Sequence, residues 1–408
     1  MRWLDRVLTV IPIVLLLLTS RGALSLSPLE MEAAPHSYPL ATWEVTHFLG
    51  KWVYKVRDLL PGSHREAEAR RQEVQQFMAL ADEANRLEDE LHRASASLGP
   101  APEISALEDE LYRLREEMAR RGARVEEILE SELSRILGEE GFASRIGMVF
   151  PPVDLAFDQP PKLLTVSPRG RIETANSILL RPQMELSQME ALEERIVEGW
   201  DLSALVEDTG GVSFYPSVMN NTYGLRGTLS VAAHEWLHQY LFFHPLGRNY
   251  GSSSEMSTLN ETVADMAGEA LGDMAYEAIT GEKVVKYEES PDYHPPAFDF
   301  NKEMHETRLR VDELLAEDRI EEAESYMEER RQVFVSEGYY IRKLNQAYFA
   351  FHGTYADTPA SVSPIHAELE RVRENTSSIG EFIQTVARFG NYDEFKAYVE
   401  ALPPAPGE

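Results

Sequence analysis

The sequence predicts an α+β chain that is mostly helical. Long segments on both sides of the middle carry apolar residues at three- and four-residue spacing among many charged ones. Short apolar or alternating runs bounded by Pro, Gly and Asp fall within residues 150–218. With 408 residues the chain can bury a sizeable core and hold more than one structural unit.

The elements follow in order. Residues 1–26 are a signal peptide or a membrane anchor. Arg2 and Arg6 precede an apolar run at 7–19, and Arg21 follows it. The run is short for a span and suits the apolar core of a signal peptide, with Ala23-Leu24-Ser25 as a small-residue cleavage site. Either reading places the rest of the chain outside the cytoplasm. Residues 42–60 are aromatic (Trp43, Phe48, Trp52, Tyr54) and either lie on a membrane surface or pack on the remainder.

Residues 64–140 read as an acidic, coiled-coil-like helical hairpin. Leu80, Leu87 and Leu91 form one stripe. Leu107, Leu111, Leu114 and Met118 form another, continued by Val125, Leu129, Leu133 and Ile136, and residues 95–102 break the two. Each arm would be about 50 Å long. Such a hairpin serves as a spacer, a lid or a contact in a homo-oligomer.

Residues 145–408 form the remaining unit. Leu163-Leu164-Thr165-Val166, Ser177-Ile178-Leu179-Leu180 and Val212-Ser213-Phe214-Tyr215 predict a small sheet. Residues 229–243, free of Pro and Gly, then predict a buried helix that Thr228 or Ser230 would cap. It contains His234-Glu235-Trp236-Leu237-His238. In a helix the two histidines share a face one turn apart, so both imidazoles can bind one Zn²⁺, with Glu235 within reach of a water there. The bland alternative is a core helix that carries two histidines.

A second helix is predicted from residue 258 to about 271. Glu261 and Asp265, four apart, share a face, and Ala264, Ala267 and Gly268 are small enough to let the two helices approach closely. A catalytic zinc takes three protein ligands and keeps one position open; His234, His238 and Glu261 supply three. Asp265 would take the N–H of a ligating ring, His234 first, and so set its orientation. Asn260 either braces the metal helix or contacts substrate. Residues 247–257 and 282–296 read as loops. Residues 302–344 read as a charged hairpin broken near Asp318, and 347–355, 365–372 and 379–402 as helices before a Pro-rich tail.

His234, Glu235 and His238, followed by Asn260, Glu261, Ala264 and Asp265, resemble the H-E-x-x-H and N-E-x-x-A-D motifs of the gluzincin zinc peptidases. The resemblance spans about forty residues. It implies that both histidines and Glu261 bind zinc, that Glu235 is the general base, and that a sheet edge, by position residues 212–218, pairs with an extended peptide. Asn345-Gln346-Ala347 with Tyr355 ten positions after Asn345 is similar to a bacterial family of predicted zinc aminopeptidases. There Gln346 replaces a second Asn. That similarity implies Tyr355 as the donor to the tetrahedral oxyanion, with His352 and Tyr348 behind it.

Composition bounds the rest. The formal charge of −30 argues against a nucleic-acid partner, which needs clustered Lys and Arg. Without Cys there is no thiol nucleophile and no Cys₄ zinc site. The expected function is an extracytoplasmic zinc peptidase, either an aminopeptidase or an endopeptidase, acting on a peptide or protein substrate. The alternatives are an amidase acting on other substrates, or a membrane-anchored coiled-coil scaffold whose zinc is structural. His244, His294, His305 and His366 show no ligand spacing.

Overall fold

A computed structural model describes residues 26–40, 43, 67–96, 101–145, 147–285 and 298–403. The run at 7–19 read as a signal peptide or anchor lies outside the described residues. Among the described residues no helix is long and apolar enough to cross a membrane. Of the aromatic segment at 42–60 only Trp43 is described. Its indole donates to Asp158 at 2.8 Å, and its ring packs 6.0 Å from Phe214.

After the short helix α1 (Pro28–Ala33), α2 (Ala67–Ala96) and α3 (Ala101–Leu137) form an antiparallel pair. Arg115 meets Glu88 at 2.8 Å, and Arg121 meets Gln76 at 2.8 Å. The pair has two distinct halves. Its far half closes on a small core of Ala84, Leu87 and Leu111. Its near half, with Val74, Phe77, Val125, Leu129 and Leu133, belongs to the main core that also holds Trp236 and Leu237. Residues 64–140 and 145–408, separate in the sequence reading, thus share one core along half the hairpin. Glu126 and Glu130 on α3 accept the backbone N–H groups of Phe157 and Leu155 at 2.8 and 2.9 Å. They cover a strand edge that would otherwise leave its donors unpaired.

Two three-stranded sheets follow. The strands are β1 (Leu155–Phe157), β2 (Lys162–Pro168), β3 (Asn176–Leu180), β4 (Leu202–Asp208), β5 (Gly211–Val212) and β6 (Ser217–Met219), with α4 (Leu186–Trp200) between β3 and β4. One sheet is antiparallel, in the order β3-β2-β4. In the other, β6 pairs parallel with β1 and antiparallel with β5. The strand expected at 212–215 ends at Val212. Phe214 N–H turns back to the Val212 carbonyl at 2.8 Å, and Pro216 has no N–H to extend a ladder. The α4–β4 unit escaped the sequence reading, although Leu192 and Ile196 bury its inner face.

The rest is helical: α5 (Gly224–Leu241), α6 (Pro245–Arg248), α7 (Ser254–Thr280), α8 (Phe300–Ala316), α9 (Ile320–Ser336), α10 (Gln346–His352), α11 (Ile365–Glu374), α12 (Ile379–Val386) and α13 (Tyr392–Ala401). The α8–α9 turn passes Asp318, whose φ of 59° is left-handed. The single helix expected over 379–402 is two, because Asn391 caps a new helix by accepting from Glu394 N–H. Helix α5 begins one turn before the expected caps. Thr228 and Ser230 lie inside it, and Tyr223 at its start gives no side-chain cap.

Glu193 on α4 is fully buried. It accepts from Val206 N–H at 2.7 Å, from both Arg342 nitrogens at 2.6 and 2.9 Å and from Lys343 at 2.6 Å. This ion group ties the segment before α10 to the antiparallel sheet. Glu193→Ala strips Arg342 of its two-pronged partner and should lower stability by about 3–5 kcal/mol, read as a fall in the thermal or urea midpoint.

Candidate metal centre

The pentapeptide lies on α5 and Glu261 lies on α7, and the centre depends on how closely those helices cross. Ala232, Ala233, Ala264 and Ala267 are fully buried between them or beside them. A Cβ added at Gly268 would stand 3.0 Å from His234 Cβ. One added at Gly272 would stand 2.6 Å from the Ser230 backbone. Glycine is required there because backbone and side chain of the facing helix occupy the space. Gly268 was expected from sequence to permit close approach; Gly272, beyond the expected helix end, was not.

The crossing brings His234, His238 and Glu261 into one group whose ligand atoms all lie within 4.8 Å of one another, and which could hold a metal ion. The two Nε2 atoms are 2.9 Å apart. Glu261 Oε2 lies 3.6 Å from His234 Nε2 and 3.3 Å from His238 Nε2. Tetrahedral zinc with bonds of about 2.0–2.1 Å holds its ligand atoms about 3.3 Å apart. The observed separations bracket that value, so the residues fit such an ion.

The far side of each ring is also occupied. His234 Nδ1 lies 2.9 Å from Asp265 Oδ1, and His238 Nδ1 lies 2.8 Å from Asn260 Oδ1. A carboxylate and an amide oxygen only accept, so both Nδ1 atoms donate. In the neutral rings both Nε2 atoms then present lone pairs toward Glu261 Oε2. Three acceptors aimed at one point repel unless a proton or a cation lies among them. Burial opposes charge on His234, but the hydrogen bond to Asp265 and the nearby carboxylates of Glu261 and Glu235 prevail and hold its pKa well above the usual imidazole value. Asp265 thus lies behind His234, and Asn260, from the same helix as Glu261, lies behind His238.

Glu235 is buried, and its carboxylate abuts β5. A Cβ at Gly211 would fall 2.7 Å from Glu235 Oε1 and 2.9 Å from Val231. Burial pushes its pKa above the usual carboxyl value. Ser213 Oγ donates to the Glu235 carbonyl at 2.9 Å, and Gln239 Nε2 donates to Ser217 Oγ at 2.8 Å. These contacts fasten α5 to the turn after β5 and to the start of β6.

Tyr355 follows α10, with its ring 6.4 Å from that of His234. Ala356 N–H donates to Thr262 Oγ1 on α7 at 3.0 Å and anchors the turn. The negative charge of Glu261 foremost, then burial, keeps the Tyr355 phenol well above its ordinary pKa, hence protonated. His352 and Tyr348, the alternative donors, pack against each other as a tilted ring pair 4.2 Å apart and do not line the cavity. Asn345 caps α10 and donates to the Ala204 carbonyl at 3.0 Å, while Gln346 donates to the Arg169 carbonyl at 2.7 Å. That motif secures α10 to the sheet.

A cavity of about 1270 Å³ opens over the group, lined by His234, Glu235, Glu261 and Tyr355, by the 209–215 strip and by Phe242, Phe243 and Phe351. Tyr250, Asp357 and His366 also line it, and sequence reading gave none of them a role at the site. Tyr250 Oη donates to Glu261 Oε1 at 2.8 Å. Burial foremost, then the charge of Asp265, pushes the Asp357 carboxyl above its usual pKa. Tyr250 comes from the loop between the two ligand-bearing helices and Asp357 from the turn after Tyr355, where no periodicity marks a function, while His366 lies near the start of α11.

Gly272→Val should force the helices apart, lowering stability by about 1–3 kcal/mol and weakening the hold of the three residues on a metal ion by roughly tenfold or more. Gly199→Ala, at an exposed position of α4 where nothing lies within 4 Å, should leave metal binding unchanged and raise stability slightly, by about 0.5–1 kcal/mol. Thermal unfolding and zinc titration check both.

The chain matches no protein-family model, no curated protein and no solved structure.

Proposed function

We propose that the protein is a zinc-dependent peptidase of the gluzincin kind, acting outside the cytoplasm on peptide or protein substrates. The observation that carries this reading is the convergence of His234, His238 and Glu261 at tetrahedral spacing, beside a buried acid, Glu235, that is not one of the three. The apolar run at 7–19 supports the location.

Zinc held by His234, His238 and Glu261 would supply Lewis-acid chemistry, acidifying a water and polarising the scissile carbonyl. Glu235, with its raised pKa, takes a proton from the attacking water and delivers it to the leaving amine. Tyr355, kept protonated, donates its O–H to the carbonyl oxygen as negative charge develops there. Asp265 and Asn260 hold the two rings in the orientation that frees both Nε2 atoms. The exposed side of β5 offers Gly211–Val212 for backbone pairing with an extended peptide, a shorter edge than residues 212–218. The scaffold alternative needs a closed site of four protein ligands; among the described residues the group has three members.

Glu235→Gln should keep stoichiometric zinc and lose turnover by about 10²–10⁴-fold, whereas Glu261→Ala should lose both. Zinc analysis and cleavage of a mixed peptide library check this, and the cut positions decide between removal of terminal residues and internal cleavage. Full activity in Glu235→Gln would refute the mechanism.

A further inference from the structure

The proposed ligands share a pattern. His234 has Asp265 behind it, and His238 has Asn260. Glu261 has Tyr250, whose hydroxyl lies 2.8 Å from Oε1, while the other oxygen, Oε2, is the one beside the two imidazoles. We propose that Tyr250 is a positioning residue for Glu261, holding the carboxylate so that Oε2 alone serves the metal. This rests on the reading of His234, His238 and Glu261 as metal ligands.

A carboxylate on a metal can bind through one oxygen or both. A hydrogen bond from a phenol to Oε1 engages that oxygen's lone pair and fixes the plane of the group. The remaining oxygen stands 3.3 and 3.6 Å from the imidazole nitrogens, the spacing of a one-oxygen ligand in a tetrahedral set. Had both oxygens faced the imidazoles, the group would have crowded the position that a water or substrate must occupy.

The loop carrying Tyr250 is built to hold it. Asn249 Nδ2 donates to the Pro245 carbonyl at 2.8 Å, and Ser252 Oγ donates to the Asn249 carbonyl at 2.7 Å. Gly251 N–H donates to Ser257 Oγ on α7 at 3.1 Å. Gly247 packs so tightly that a Cβ there would lie 2.3 Å from the Leu241 backbone. The loop is therefore tied to the ends of both ligand-bearing helices. Tyr250 remains 51% exposed, so its ring is not a core element on which the fold depends.

The test compares the full chain with Tyr250→Phe, which keeps the ring and removes the hydroxyl. Zinc affinity is measured by competition with a chelator, the visible absorption of the cobalt(II)-loaded protein is recorded, and thermal unfolding verifies the fold. The expected result is zinc affinity weaker by roughly tenfold or more. A less intense cobalt spectrum should accompany it, as the freed carboxylate takes the metal through both oxygens. Unchanged affinity and spectrum would overturn the proposal, even if turnover fell, because Tyr250 would then act on substrate. Weaker binding with an unchanged spectrum would also overturn it. A wild-type chain that binds neither metal would instead refute the metal centre itself.

Discussion

The crossing of α5 over α7 is the contact on which the rest of this structure depends. Ligand atoms on two separate helices meet within 4.8 Å only if the helix axes come unusually close. Gly268 and Gly272 remove the side chains that would hold them apart. Fully buried Ala232, Ala233, Ala264 and Ala267 keep the interface thin. Around this pair the near half of the hairpin, the short mixed sheet and the C-terminal helices supply one continuous core. Small residues near the crossing thus carry a chemical consequence as well as a packing one.

Electrostatics in the cavity follow from that geometry. Among the described residues no Lys or Arg lines it, while Glu235, Glu261, Asp265, Glu269 and Asp357 do. Such a concentration of carboxylates is unfavourable in a partly desolvated space unless positive charge compensates it. A divalent cation among the imidazoles would do so, and a basic or amino-terminal group of a substrate would add to it. Elsewhere the chain resolves its excess of acidic groups differently. On the hairpin they face solvent or pair with arginine, and at Glu126 and Glu130 they cap strand N–H groups.

What could be read from the sequence was what is local along the chain. The shared face of His234 and His238, and of Glu261 and Asp265, follows from helical spacing alone. So does the stripe of Leu111, Leu129 and Leu133. Contacts made by folding were not legible. No pattern announces that Gly211 on β5 lies against Glu235, or that Tyr250, from a polar loop, reaches the second oxygen of Glu261. Asn260 adjoins Glu261 in sequence, yet its role is set by a histidine on the other helix. Some misses were local all the same. The α4–β4 unit has its periodicity in plain sight, and the break between α12 and α13 is marked by Gly390-Asn391. The strand expected at 212–215 failed because alternation of apolar residues says nothing of the ladder partner that Phe214 lacks.

The central claim is that two imidazoles and one carboxylate from crossing helices hold a metal with a position left open. Zinc-edge X-ray absorption on the loaded protein tests it most directly. The expected result is one zinc per chain, bound by two imidazoles at about 2.0–2.1 Å with oxygen ligands completing the shell. Three or more imidazoles around the ion, or zinc bound without any imidazole, would contradict it.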